Sequence, residues 1–386
     1  MEGHRQTDVV IVGGGFTGVL VAQAFADAKI GVALLEAGLV GNGSTAASSA
    51  LLLQEPDSGL AELSHHYGRS TGRRLWQLSA QAAHDLAALL ERLAIRCDLK
   101  KCDTVYYATK EDGAERLHRE FALRTKAGFE GQWLTPGALR QLTAIPGRAA
   151  IHTNGGAQFD PYRACVGVLQ AASASGAQIY ERSPVVRIDS GRDRVRVRTR
   201  HGTVEASRVI IATGYATPYF RPLAGRFRMY RTYVLATEPL NAAQRSELGL
   251  SDVMVWDTER PYHYARWSPD HRLLLGGGDR RVKAGQRRHA EFTTATRQLC
   301  EYFEGLLPAS ATIDMQVAWE GLFAMTPDSL PYIGAHRRYS GHWFALGYGG
   351  NGMTLGFLAA RLLLEQWQGV KSSDHALFRF DRPGRW

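Results

Sequence analysis

Three glycines and one acid carry the first sign of chemistry. Gly13, Gly15 and Gly18 follow a G-x-G-x-x-G spacing, with Phe16 and Thr17 inside it, and Glu36 stands 18 residues after Gly18. Each residue type suits one task in holding a dinucleotide. Gly13 permits a tight turn, Gly15 leaves a pyrophosphate free to approach the backbone, and Gly18 lets a following helix lie close to its sheet. The start of that helix offers free N–H groups and the positive end of its dipole to phosphates. Glu36 can accept hydrogen bonds from both hydroxyls of an adenosine ribose, and its charge repels a 2′-phosphate. This unit alone does not separate FAD from NAD.

Two further stretches have the composition of a ligand-lining backbone. Residues 37–53 begin at Ala37, are dominated by small side chains, and place Ser44, Thr45 and Ala46 ahead of an apolar end that includes Leu52. A segment of this kind can run close to a flat ligand and offer hydroxyl and N–H groups to phosphate and ribityl oxygens. Near the other end of the chain, Gly349, Gly350, Asn351 and Gly352 form a turn that leads into Met353 and Thr354. It sets a second helix N-terminus where it can face a ligand.

The elements that must position these residues follow from pattern. Residues 8–12 form a β-branched apolar run and read as a buried strand, 19–29 as a helix and 32–35 as a second strand. Apolar residues recurring at three and four between Leu75 and Leu93 make 58–94 helical. Residues 104–108 read as a strand, and 111–127 as a helix stopped at Gly128. Residues 155–161 read as a turn in which Asp160 caps a helix beginning at Pro161. Two short strands, 178–181 and 185–188, lead to a buried strand at 207–214, and 226–282 is β-rich. The remainder reads as a helix at 287–305, strands at 312–322 and 342–348, a helix at 353–367 and an exposed charged tail from 378.

Composition bounds the rest. A chain of 386 residues with 45% hydrophobic and 22% charged residues has the make-up of a soluble globular protein of two domains. The formal charge of +9 is spread out. Arg194, Arg196, Arg198 and Arg200 alternate with Val195, Val197 and Thr199 as on one solvated strand face. No zinc-finger or RNA-binding signature is present, so no nucleic-acid partner and no metal are expected. The four cysteines have no ligand spacing and are expected as free thiols. No run approaches the ~20 apolar residues of a membrane span. The N-terminus is too short and polar for a signal peptide, and a cytoplasmic protein is expected.

The N-terminal βαβ unit, the small-residue loop at Ser44, the Val209-to-Gly214 strand end, and Pro331-Tyr332-Ile333-Gly334 followed by Gly347-Tyr348-Gly349-Gly350-Asn351-Gly352-Met353-Thr354 occur in that order. Together they resemble the FAD-dependent D-amino-acid oxidase, glycine oxidase and sarcosine oxidase family over essentially the full length. The resemblance implies an α/β fold: a Rossmann-like FAD domain of discontinuous segments (1–98, 150–222 and 322–386) with an inserted antiparallel β-sheet substrate domain (99–149 and 223–321). It implies FAD, held noncovalently, since neither lining stretch carries His or Cys. Gly13, Gly15 and Gly18 would hold the pyrophosphate and Glu36 the ribose. Ser44, Thr45 and Ala46 would line the phosphate and ribityl path, and the Val185 backbone would meet the adenine. Ala212, Thr213 and Gly214 would pass near the dinucleotide, and Gly350, Asn351, Gly352, Met353 and Thr354 would reach the pyrimidine end.

The implied chemistry is hydride transfer from a carbon bearing an amine to flavin N5, giving an imine that water hydrolyses, with O2 or a quinone as the final acceptor. One departure bears on the substrate. Amino-acid oxidases of this family often carry an Arg for the substrate carboxylate shortly before Thr326-Pro327-Asp328, and Phe323 stands there. Arg266, two residues from Tyr264 on one strand face, offers a charge from the substrate sheet; the alternative is a surface Arg266 and a core Tyr264. Tyr348 is a candidate flavin cover or a packing residue. Oxidation of a 2-hydroxy acid or other alcohol, and a non-catalytic flavoprotein subunit, stay open beside oxidation of an amine or amino acid.

Overall fold

The computed structural model describes residues 1–283, 285 and 287–382. The opening unit forms with its ends shifted. Strand Val9–Val12 leads to helix Phe16–Asp27 and strand Val32–Leu35. The helix starts three residues before its expected first residue, Val19, because extended Gly15 acts as its N-cap. These strands belong to a six-stranded sheet. Val9 pairs in parallel with Val32 on one side and Arg208 on the other, and strand Tyr339–Leu346 extends the sheet beyond Arg208–Gly214.

Side-chain alternation divides this sheet between two cores. Val9, Ile11, Leu34 and Ile210 pack against helices Phe16–Asp27, Arg69–Arg92 and Gly352–Trp367. Val10, Ala33, Val209 and Phe344 face a four-stranded sheet through Val195, Val197 and Val204. The alternating arginines behave as read: Val195 and Val197 are buried while Arg196 and Arg198 are exposed.

The second large sheet has nine strands, from Met315–Met325 through Arg228–Thr237, Leu273–Arg281, His263–Trp267, Met254–Asp257 and Lys100–Ala108 to Ala149–Gln158 and Leu51–Leu52, with Gln132–Leu134 also paired to Ala149–Gln158. One face is apolar: Tyr107, Tyr233, Leu235, Ala265, Trp267 and Leu275 cluster with Ala295, Leu299 and Phe303 of helix Arg288–Leu306. The alternate residues, Thr232, Gly276, Tyr264, Arg266 and Trp319, lie on the other face. That face meets the small-residue loop.

Several expectations give way to packing. Residues 155–158 continue the strand Ala149–Gln158 instead of turning, because they pair with Lys100–Ala108. This puts a strand assigned to the cofactor part into the substrate sheet. The 58–94 stretch breaks into Leu60–Tyr67 and Arg69–Arg92 at Gly68, whose φ is +86°. Val185 precedes its expected strand, which begins at Arg187. The tail is only partly exposed over its described part, at Arg379 and Asp381. Phe378 and Phe380 are buried, and Arg382 forms a buried pair with Asp328; residues 383–386 lie outside the described residues. Cys97, Cys102, Cys165 and Cys300 are free thiols. Among the described residues no His/Cys/Asp/Glu group could hold a metal, and no helix is long and apolar enough to cross a membrane.

Candidate functional site

The glycine turn is a close three-way contact. Gly13, at φ +110°, donates its N–H to the Leu35 carbonyl at 2.9 Å. A Cβ on Gly13 would sit 2.6 Å from the Ala212 carbonyl oxygen, and one on Gly18 would sit 1.9 Å from the Gly13 carbonyl oxygen. The end of strand Arg208–Gly214, the turn and the helix therefore touch through backbone alone. At Gly15 the packing is looser: an added Cβ would make only an ordinary contact, 3.5 Å from Thr45 Oγ1. No side chain caps the helix start. The Phe16 N–H donates to Thr45 Oγ1 at 2.9 Å, which fixes the loop against the helix. Phe16 itself is buried and stacked on Phe159. The Thr17 side chain turns away to the close contact at Gly356 of the last long helix.

Glu36 is held ready by the backbone. Its Oε2 accepts from the Gly14 N–H and its Oε1 from the Gly38 N–H, each at 2.7 Å. Ala37, between them, is exposed. The Ser183 N–H donates to the Glu36 carbonyl, which brings Val185 alongside as a half-buried neighbour.

The small-residue loop is stitched to the substrate sheet. Ser44 Oγ donates to the Leu322 carbonyl at 2.5 Å, Trp319 Nε1 to the Ala47 carbonyl at 3.0 Å, and Arg266 Nε to the Ser49 carbonyl at 2.6 Å. Ala46 is exposed, whereas Leu52 is buried and pairs with Ala157. Arg266 is only 5% exposed, so it is not a surface charge. Its guanidinium also donates to the Trp267 carbonyl, and burial pulls its pKa down to about 10. It acts on the loop by positioning Ser49.

The C-terminal turn meets the same region. Helix Gly352–Trp367 starts without a side-chain cap; Asn351 instead donates from Nδ2 to the Glu55 carbonyl, and Thr354 from Oγ1 to the Leu53 carbonyl. The Gly350 N–H donates to Asp57 Oδ2 at 2.6 Å. Met353 is buried below the turn. The Thr213 hydroxyl is engaged by the Tyr215 carbonyl, and the Gly347 N–H donates to the Gly214 carbonyl. Tyr348 is a packing residue: it is buried in the helix-side core, and its hydroxyl donates to the Ala345 carbonyl. The structure thus brings Tyr264 and Arg266 together beside the loop and leaves Tyr348 in the core.

Three residues near this region were missed in the sequence. Tyr262 and Tyr264 have ring centroids 6.0 Å apart, and the Tyr264 ring lies across Gly276, where a Cβ would come within 2.1 Å of it. A Cβ on Gly350 would lie 2.8 Å from the Tyr262 hydroxyl, so that phenol reaches the C-terminal turn. Desolvation pushes the Tyr264 phenol up to about 12. Asp57 opens onto the cleft, and desolvation raises its pKa to about 6 against the lowering effect of the Gly350 and Asn351 amides. Asp279 is raised to about 7, again chiefly by desolvation. Its signal was present as Gly276-Gly277-Gly278-Asp279, a glycine run inside a strand, which marks a bulge or a close approach. Phe323 is stacked on Tyr230, with ring centroids 5.8 Å apart.

These features fit a flavin dinucleotide. Added side chains at Gly43 and Gly214 would meet nothing within 4 Å, and one at Gly352 would meet only Tyr348 Cβ at 3.8 Å. Together with the Glu36 carboxylate and two helix starts without a side-chain cap, they complement a ribose, a pyrophosphate and an electron-rich ring edge.

Comparison with known proteins agrees. Glycine oxidase of Geobacillus kaustophilus is 27% identical over 94% of this chain and 93% of its own length. Gamma-glutamylputrescine oxidoreductase of Escherichia coli is 28% identical over 94% and 84%. The crystal structure of the Geobacillus glycine oxidase superposes with a TM-score of 0.79 at 24% identity, covering 98% of this chain and 99% of that one. That of an L-proline dehydrogenase from P. horikoshii gives 0.81 at 18%, covering 97% of each. The family model described as "DAO: FAD dependent oxidoreductase" matches residues 8–366. The chain belongs to this family of FAD-dependent oxidoreductases.

Proposed function

We propose that this protein oxidises the C–N bond of an amine or amino acid, with FAD supplying a two-electron acceptor at N5. A hydride leaves the carbon that bears nitrogen, and the resulting imine is hydrolysed by water. In this reading Gly13, Gly15 and Gly18 hold the pyrophosphate, Glu36 holds the ribose, and the Ser44–Thr45–Ala46 backbone lines the ribityl path. The uncapped start of helix Gly352–Trp367 favours negative charge on the flavin's pyrimidine edge. The proposed cofactor part comprises the six-stranded sheet with its helices, and the nine-stranded sheet forms the substrate part.

The observation that carries the reading is the aromatic wall of the nine-stranded sheet. Tyr262, Tyr264, Trp319 and the stacked Tyr230–Phe323 pair lie on the side that meets the flavin-lining loop. Such a wall receives an amine through ring faces and phenol oxygens. Relatives named for glycine and for gamma-glutamylputrescine support a nitrogen-bearing carbon as the reacting centre.

Product analysis tests it. The FAD-loaded protein is mixed without oxygen with one amine at a time, and the products of a single turnover are measured. The reading expects one carbonyl product and one released nitrogen product per flavin reduced. Flavin reduction by 2-hydroxy acids with no reaction of any amine would overturn it.

A further inference from the structure

A β-bulge on the substrate sheet aims an acid at the cleft. Strand Leu273–Arg281 pairs with Arg228–Thr237 so that Tyr233 faces Gly277 and Arg231 faces Arg280. Between these pairs, Thr232 alone stands opposite two residues, Gly278 and Asp279. Gly277 and Gly278 take φ of +124° and +63°, which permits the bulge. Bulges re-aim side chains and terminate regular pairing. Here the result is that Asp279 sits among Thr232, Tyr262 and Tyr264, on the face that carries the flavin-lining loop.

Asp279 Oδ1 and Thr232 Oγ1 are both shut from solvent. The Thr232 hydroxyl is the polar neighbour of both Asp279 and the Tyr264 phenol and lowers the pKa of each, so one neutral hydroxyl is what meets a largely buried carboxylate, a costly arrangement without a cation. Arginines of this strand and its neighbours are bonded elsewhere, and the nearby His263 is paired with Asp257. Arg266 donates to the Ser49 and Trp267 carbonyls, Arg280 to Gln298, and Arg231 pairs with Glu320 and Glu291. Across the cleft stands a second carboxylate, Asp57, at the C-terminal turn.

We propose that Asp279 is the substrate-ammonium acceptor of this enzyme, and that its substrate is a cationic amine carrying no carboxylate next to the reacting carbon. This deepens the reading of the site as an amine-oxidising one and rests on it. The amine enters as an ammonium and is drawn to the Asp279 carboxylate between the Tyr262 and Tyr264 rings. One N–H proton passes to Asp279, which leaves the nitrogen lone pair free. Bound FAD would accept the carbon's hydride with its electron pair, and the freed lone pair would close the C=N bond. Asp279, now neutral, releases the proton after turnover. The stacked Tyr230–Phe323 pair offers a carboxylate no cation, and two acids facing each other repel one.

Burial raises Asp279 most, the Thr232 hydroxyl and His263 lower it and Asp57 across the cleft raises it; Tyr262 and Tyr264 face it and are raised by it in turn, and Arg260 lowers Asp57. With Asp279 at about 7, proton acceptance improves as pH rises through neutrality.

The test uses the FAD-loaded protein and its Asp279→Asn and Asp279→Glu forms. Trimethylammonium chloride and sodium acetate are titrated at pH 8 by calorimetry, and the rate of anaerobic flavin bleaching by reactive amines is followed from pH 6 to 9. The proposal expects wild type to bind trimethylammonium and not acetate. Asp279→Asn should weaken cation binding at least tenfold at unchanged FAD content and flatten the pH profile, and Asp279→Glu should restore part of both. Equal cation binding in wild type and Asp279→Asn, or tighter binding of acetate, would overturn it while bleaching by amines still upheld the wider reading. Cation binding that depends on Asp279 in a protein that no amine bleaches would instead sink the wider reading.

Discussion

Substituting Gly18 by Ala tests whether the glycine turn works by contact. The added Cβ would lie 1.9 Å from the Gly13 carbonyl oxygen, a backbone atom with no rotamer to escape into. Gly13 cannot retreat, since its other side already abuts the Ala212 carbonyl. Relief requires the helix start to move by more than about 1 Å, and overpacking of this kind costs about 1–3 kcal/mol. The displaced helix start carries Phe16, whose N–H is tied to Thr45, so the loop moves with it. If that loss falls on the FAD-bound state, affinity drops by roughly 5- to 150-fold, at 1.4 kcal/mol per decade. The assay is quenching of FAD fluorescence by apoprotein, with melting temperature as the control for folding. A Gly18→Ala protein that binds FAD within twofold of wild type and melts at the same temperature would refute the contact reasoning.

Three other outcomes follow from the same geometry. Glu36→Gln replaces one acceptor oxygen with a donor facing the Gly14 or Gly38 N–H, so FAD affinity should fall about tenfold or more in the same titration. Arg382→Ala leaves Asp328 buried without its two-bond partner, which costs about 3–5 kcal/mol. Thermal melting should drop by several degrees, and the Arg382→Ala, Asp328→Asn double variant should lose less than the sum of the single losses. Asp57 is raised from 3.8 to about 6, so the folded apoprotein holds that proton more tightly than the unfolded chain. Its contribution is therefore full at low pH and is lost as pH rises from about 4 to about 6. Asp57→Asn should flatten this part of a denaturant-measured stability profile, and an unchanged slope would contradict the assignment.

The cofactor half was legible because its signals are local. Gly13, Gly18 and Glu36 must have their residue types within one βαβ unit, and the Gly349–Gly352 turn announces a helix start directly. Side-chain direction was not legible. Thr17 sits inside the motif yet points at Gly356, and Tyr348 sits beside the turn yet buries its hydroxyl on Ala345, because helix-to-helix contacts decide both. The continuation of Ala149–Gln158 through two glycines depends on its partner Lys100–Ala108, about fifty residues away. Arg266 was visible as a charge, but its burial depends on Ser49, 217 residues distant. Asp279 was overlooked since its meaning arises only when Thr232 is placed opposite the bulge. The tail read as exposed because its charges were counted without the Asp328 partner that buries Arg382.

The most direct test of the account is the visible spectrum of the purified protein before and after an amine is added without oxygen. The account predicts oxidised flavin bands that bleach on addition of a cationic amine and return when oxygen or a quinone is admitted. A protein that neither carries nor takes up FAD, or one whose flavin bands no amine or amino acid bleaches, would contradict it.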